Sequence, residues 1–197
     1  MIIPKNTISF IQNKINDSDL CFVLSKDYGA SQPKHRENIR KHLEEDFSSH
    51  FSREQLAVLP DLNQIPTASD GYFSISHNQQ IGGFSYSKHQ HGFDVETINR
   101  ISNSIIQRTS SEPERASAPN TKFLWVAKES ALKALSSRDR NLNSKFLITD
   151  LICYDWQSYT NTDICSFKIK SDKPLKQNLN LGFIFLSEDM LFSIYFK

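Results

Sequence analysis

Apolar and polar positions divide the chain into short strand-like runs and two amphipathic helices. Residues 20–25 (LCFVLS) form an apolar run that predicts a short buried strand. Ser31 and Pro33 mark a helix start, and PKHRENIRKHLEEDFSSHF follows. Within it Ile39, Leu43 and Phe47 recur every four residues, so one stripe faces a core. Residues 59–69 hold Pro60 and Pro66 and read as a loop. Three strand-like runs come next: YFSISH (72–77), IGGFSYS (81–87) and GFDVE (92–96), with hairpin-sized polar patches between them. Residues 97–120 change character. The stretch QRTSSEPERASAPN predicts a mobile surface segment. A strong helix follows, TKFLWVAKESALKALSS (121–137), with Asn120 or Thr121 as its cap and a buried face of Phe123, Ala127, Ala131 and Ala134 or Leu135. Strands at 146–156, 163–170, 181–187 and 191–197 complete the chain as an antiparallel meander, with Glu188-Asp189 as the last turn. The order predicts an α+β class. It divides into two similar helix-plus-antiparallel-sheet halves, 1–97 and 98–197.

Composition narrows the partners. With 38% hydrophobic and 23% charged residues, the 197-residue chain can bury a core. No apolar run approaches the roughly 18 residues of a membrane span, and the first ten residues lack a signal-peptide pattern. Twenty-three Lys and Arg against 22 Asp and Glu give a net charge of +1, which argues against coating a nucleic acid. It leaves room for one local phosphate site. Cys21, Cys153 and Cys165 are odd in number and far apart, so a disulfide framework or zinc ribbon is not expected. A reducing cytoplasm is the simplest setting. The 14 Phe predict an aromatic core.

Four groups of residues carry candidate chemistry. Asp94 and Glu96 share one strand face, about 7 Å apart along it, and such hard oxygen donors suit Mg²⁺. The alternative is a solvated strand face. Glu129 and Lys133 share a helix face, either as an ordinary stabilising pair or as a metal ligand beside a phosphate clamp. Ser76-His77 ends a strand and suits a phosphate oxygen, or else hydrogen-bonds its own loop. Arg36 and Arg40, flanked by Lys34 and Lys41, make the densest basic patch, which suits a phosphate-rich ligand or a solvated helix face. His89 and His91 read as turn residues, and no Walker A loop or G-x-S-x-G elbow is present.

The order of these groups is more specific than any one of them. FSISHN (73–78), GFDVE (92–96) and WVAKESALK (125–133) resemble the motif series of the 4′-phosphopantetheinyl transferases, in their larger monomeric surfactin-type branch. The resemblance spans residues 34–135. It implies a pseudo-twofold fold with the site between the halves. It also implies Mg²⁺-dependent transfer of phosphopantetheine from coenzyme A to a serine of an apo acyl or peptidyl carrier protein, with Mn²⁺ as a possible substitute. By this resemblance Asp94, Glu96 and Glu129 are metal ligands, and Glu129 also stands at the general base position. Lys133 contacts the coenzyme A phosphates. Ser76, His77, Arg36 and Arg40 hold the 3′-phosphate. Glu114 falls near another acidic position of the family. Arg108, Arg115 and Lys122 are the expected docking surface for the acidic carrier, on a segment expected to order on docking. The implied partners are coenzyme A and the carrier, with no nucleic acid, no membrane and no second copy of the chain.

Two rivals remain. A metal-dependent nuclease also uses D-x-E with a nearby K-E, but predicts a broader basic surface. A non-catalytic module binding coenzyme A or a carrier protein would keep the same residues as structural groups.

Overall fold

Period-two alternation in the strands decides which side of each sheet meets a helix. The computed structural model describes residues 3–54, 70–135, 146–160, 162–175 and 178–197. The predicted loop 59–69 and the end of the second predicted helix, 136–137, lie outside them. The described elements are α1 (Lys5–Ile15), β1 (Cys21–Ser25), α2 (His35–Asp46), β2 (Tyr72–His77), β3 (Gly82–Ser87) and β4 (His91–Thr97), then α3 (Asn103–Thr109), α4 (Glu112–Ser117), α5 (Phe123–Leu135), β5 (Ile152–Ser158), β6 (Ile164–Lys170), β7 (Leu181–Ser187) and β8 (Met190–Phe196). They form two antiparallel sheets, ordered β1-β3-β2 and β4-β8-β7-β6-β5, so the class is α+β.

The five-stranded sheet is covered on both faces. Leu191 and Tyr195 of β8 pack with Leu124, Ala127 and Ala131 of α5. The alternate residues Phe192, Ile194 and Phe196 pack on the other face with Ile11 and Ile15 of α1. Each such buried side chain stabilises the fold by about 1.5–3 kcal/mol. The helix α1 is an addition to the predicted elements. Its signal is the spacing of Ile8, Ile11 and Ile15 after Pro4, and it ends at Asn16 in the left-handed region.

The three-stranded sheet turns Phe73, Phe84 and Tyr86 toward Ile39 and Leu43 of α2. Its other face carries the alternate residues Ser74, Ser76, Ser85 and Ser87, all buried. Ser74, Ser76 and Ser85 meet β4, while Ser87 donates to Asp17. The Ser74 hydroxyl accepts from the Phe93 amide at 2.9 Å, and the Ser76 hydroxyl accepts from the Val95 amide at 3.2 Å. Side-chain hydroxyls, rather than a strand ladder, therefore join β2 to β4.

Several expectations change. Strand β4 lies before residue 97 yet pairs with β8, residue for residue from His91 with Phe196 to Thr97 with Met190. The division between the sheets thus falls between β3 and β4. Strand β1 is half-buried rather than buried, because it is an edge strand. Helix α2 starts at His35, since Ala30 and Ser31 donate to the carbonyls of Asn78 and Gln79 and cannot enter it. Residues 146–150 are not strand, and Ile148–Asp150 forms a 3-10 turn. His91 is no turn residue. It opens β4, is buried, and hydrogen-bonds Ser85 through Nε2 at 2.7 Å.

The stretch 97–120 carries two short helices, α3 and α4. Ser102 caps α3, and Ser111 with Glu114 forms a capping box on α4. Glu114 anchors α4. Its Oε1 accepts from the Cys153 amide at 2.9 Å and faces Lys128 Nζ at 2.9 Å. The two side chains are 5% and 1% exposed, so the pair ties α4 to α5 and β5 inside the protein. Among the described residues no helix is long and apolar enough to cross a membrane.

Candidate active site

Strand alternation sends Phe93 and Val95 into the core beside α1, and Asp94 and Glu96 to the α5 side of the sheet. Gly92 sets how closely α5 approaches. A Cβ at this position would lie 2.0 Å from the Ser130 carbonyl oxygen, so only glycine allows the helix to rest on β4. Ser130 and Ser193, opposite Asp94 in β8, hydrogen-bond through their hydroxyls at 2.8 Å and pin the crossing. Glu129 and Lys133, one turn apart, then stand over the acidic strand.

Lys133 closes on that strand. Its ammonium donates to Asp94 Oδ1 at 2.8 Å, to the Ser76 hydroxyl at 3.0 Å and to the Phe93 carbonyl at 3.0 Å. The Ser76 hydroxyl in turn donates to Asp94 Oδ1 at 2.9 Å. With the Val95 amide also bonded to it, this hydroxyl has its full complement of partners. Ser76 therefore positions Asp94 and Lys133, and lies on the opposite face of β2 from His77.

Glu96 and Glu129 complete the acidic face. Burial raises both carboxyl pKa values above the ordinary range, and the Asp94 charge adds to each shift. Among the described residues, no three His, Cys, Asp or Glu side chains stand grouped as ligands. Asp94, Glu96 and Glu129 sense one another's charge, but Asp94 is bound to an ammonium. The donor set still fits a hard divalent cation. That fit is one of donor chemistry, three carboxylate side chains, two of which burial first and the Asp94 charge second hold above the ordinary carboxyl value.

On the opposite side of β2 from Ser76, the His77 ring meets the His35 ring edge-on at 4.6 Å. Burial lowers the His77 pKa, and the charges of His35, Arg36 and Lys133 lower it further. Arg36 is thus brought to His77, while Arg40 lies one turn on, half-buried. His35 is a residue that the motifs did not mark; its only signal is its place before Arg36 at the helix start. Its Nε2 is buried with no hydrogen-bond partner among the described residues. Helix α2 also begins without a side-chain cap, at Lys34. Free amides, two imidazoles and a guanidinium together suit an anion.

The expected docking residues diverge. Arg108 is exposed on α3. Arg115 donates to the Ser110 carbonyl, and Lys122 donates to the Ile98 carbonyl at 2.9 Å. Both are occupied in holding their own segment. Glu114 lies in the structural pair with Lys128, away from the ligand set. All three cysteines are free thiols, and burial raises Cys153 far above the usual thiol range.

No protein-family model matches the chain, and no curated protein matches it.

Proposed function

We propose that this protein transfers 4′-phosphopantetheine from coenzyme A to a carrier-protein serine, releasing adenosine 3′,5′-bisphosphate. The observation that carries the reading is the meeting of Ser76, Asp94 and Lys133, one from each of three separate motifs, with Glu129 near enough to feel the charges of Asp94 and Lys133. The corner of His35, Arg36 and His77, one guanidinium beside two imidazoles, lies just across β2 and suits the 3′-phosphate. The reading implies two related halves. Its support is that each sheet carries a helix on one face, α2 on the first and α5 on the second.

Each residue then has a task. Asp94, Glu96 and Glu129 would hold Mg²⁺, which neutralises charge on the diphosphate and its leaving group. Glu129, standing over the acidic strand, would take the proton of the attacking serine directly or through a water that it polarises. The serine oxygen bonds to the β-phosphorus as the bond to adenosine bisphosphate breaks. Lys133 offsets charge on the departing phosphate. Ser76 and the Phe93 carbonyl keep the lysine on this side of α5. Arg108 is the exposed cation of the docking segment and meets an acidic carrier surface.

The non-catalytic module draws on one observation: Asp94 is already paired with Lys133. One assay separates the readings. The protein is incubated with fluorescent coenzyme A, Mg²⁺ and an apo carrier protein, and in parallel with DNA. Covalent label on the carrier is expected. Tight coenzyme A binding without transfer establishes the module instead, and DNA cleavage establishes a nuclease.

A further inference from the structure

We propose that Lys133 is a tethered counter-ion: it occupies Asp94 in the free protein and moves from the carboxylate to the substrate diphosphate as a divalent cation enters. The diphosphate part rests on the coenzyme A reading; the competition for Asp94 does not.

Lys133 Nζ lies 2.8 Å from the same Oδ1 that a cation would ligate. A metal ion and an ammonium cannot share that oxygen at contact without strong repulsion. The lysine's hydrogen-bond acceptors among the described residues all lie on β2 and β4, namely Asp94, Ser76 and the Phe93 carbonyl. Its side chain is 32% exposed, so the ammonium has a way out, and its stem is flexible. Asp94 is only 10% exposed and is also fixed by Ser76, so the carboxylate stays while the lysine moves. A diphosphate offers the released ammonium new anionic partners. Substrate therefore lowers the cost of vacating Asp94, and by linkage metal and substrate strengthen each other's binding.

The test measures Mn²⁺ binding to the full chain by electron paramagnetic resonance of the free ion. Without coenzyme A, Lys133→Met and Lys133→Gln should each bind Mn²⁺ about fivefold or more tightly than wild type, the low end of ordinary site coupling. The glutamine variant retains an amide donor and serves if the methionine variant misfolds. Arg100→Gln removes a cation felt by Glu96 without touching Asp94, and should gain much less. In wild type, coenzyme A should raise Mn²⁺ affinity by a larger factor than in Lys133→Met. No gain in either lysine variant overturns the proposal, as does an equal gain in Arg100→Gln, which would mean a general field effect. If wild type fails to bind coenzyme A, the functional reading falls, while the Mn²⁺ comparison still decides the role of Lys133.

Discussion

Lys128 and Glu114 neutralise each other inside the protein, 2.9 Å apart, although they stand on different helices and 14 residues apart in the chain. Lys128 also donates to the Thr109 carbonyl at 2.6 Å, so a single ammonium joins the ends of α3 and α4 to α5. With Ile101 and Ile106, which enter the core beside α5, this pair ties the Ser- and Pro-rich segment to the body of the protein.

Breaking the pair should be costly and asymmetric. Removing one partner of a buried ion pair costs about 3–5 kcal/mol. Glu114→Ala should exceed Lys128→Met, because it also orphans the Ser111 and Cys153 amides along with the ammonium. Urea denaturation of both variants checks the order, and equal losses would contradict it.

The two seam serines should separate structure from chemistry. Ser74→Ala and Ser76→Ala each strand one buried β4 amide, at about 1–3 kcal/mol. Only Ser76 also touches Asp94 and Lys133. Both variants should lose stability in thermal melts, but only Ser76→Ala should lose transfer activity when assayed well below its melting temperature.

Gly92→Ala should move the helix. Its new methyl would meet the Ser130 carbonyl, a backbone atom that cannot rotate away. Overpacking of this kind costs about 1–3 kcal/mol or more. Lifting α5 also draws Glu129 and Lys133 off β4. Metal and coenzyme A binding should both weaken in calorimetry, even where circular dichroism shows a folded chain.

The raised carboxyls fix the sign of a pH effect. Glu129 binds its proton more tightly folded than unfolded, above the ordinary value of 4.5. Between that value and the folded one, the native state holds more protons, so this group's contribution to stability falls as pH rises. The metal-free wild type should thus lose stability relative to Glu129→Gln on going from pH 4.5 to neutrality. Paired denaturation curves across that range test it, and a wild type that gains stability relative to Glu129→Gln as pH rises contradicts it. His77 runs the other way. Its lowered pKa keeps it neutral in the free protein, so phosphate binding should draw in a proton. Coenzyme A affinity should then rise as pH falls toward the lowered His77 value, below 6.5, with proton uptake measurable in buffers of different ionisation enthalpy.

The strands were legible because their alternation is strict. YFSISH and GGFSYS place an aromatic or aliphatic residue opposite a serine at almost every step, and the structure sends the first set to α2 and Ser74, Ser76 and Ser85 of the second to β4. The same alternation put Asp94 and Glu96 on one face. Two things were not legible. The partner of β4 is β8, some hundred residues later, and no local pattern encodes a long-range pairing. The occupancy of Asp94 by Lys133 depends on how close α5 comes to the sheet, and that is fixed by the missing side chain of Gly92. The motif letters gave which residues meet. They could not give which of them hold one another before a ligand arrives.

The serine seam has a further consequence for the behaviour of the chain in a crowded solution. An open strand edge offers a row of amides on which another polypeptide can template itself. On β4 the Phe93 and Val95 amides are already taken by hydroxyls, and the Phe93 carbonyl by an ammonium. Hydroxyls satisfy these groups without presenting a fresh edge beyond them, so the larger sheet ends there instead of propagating. The seam that fixes Asp94 through Ser76 thus also guards β4 against edge-to-edge pairing.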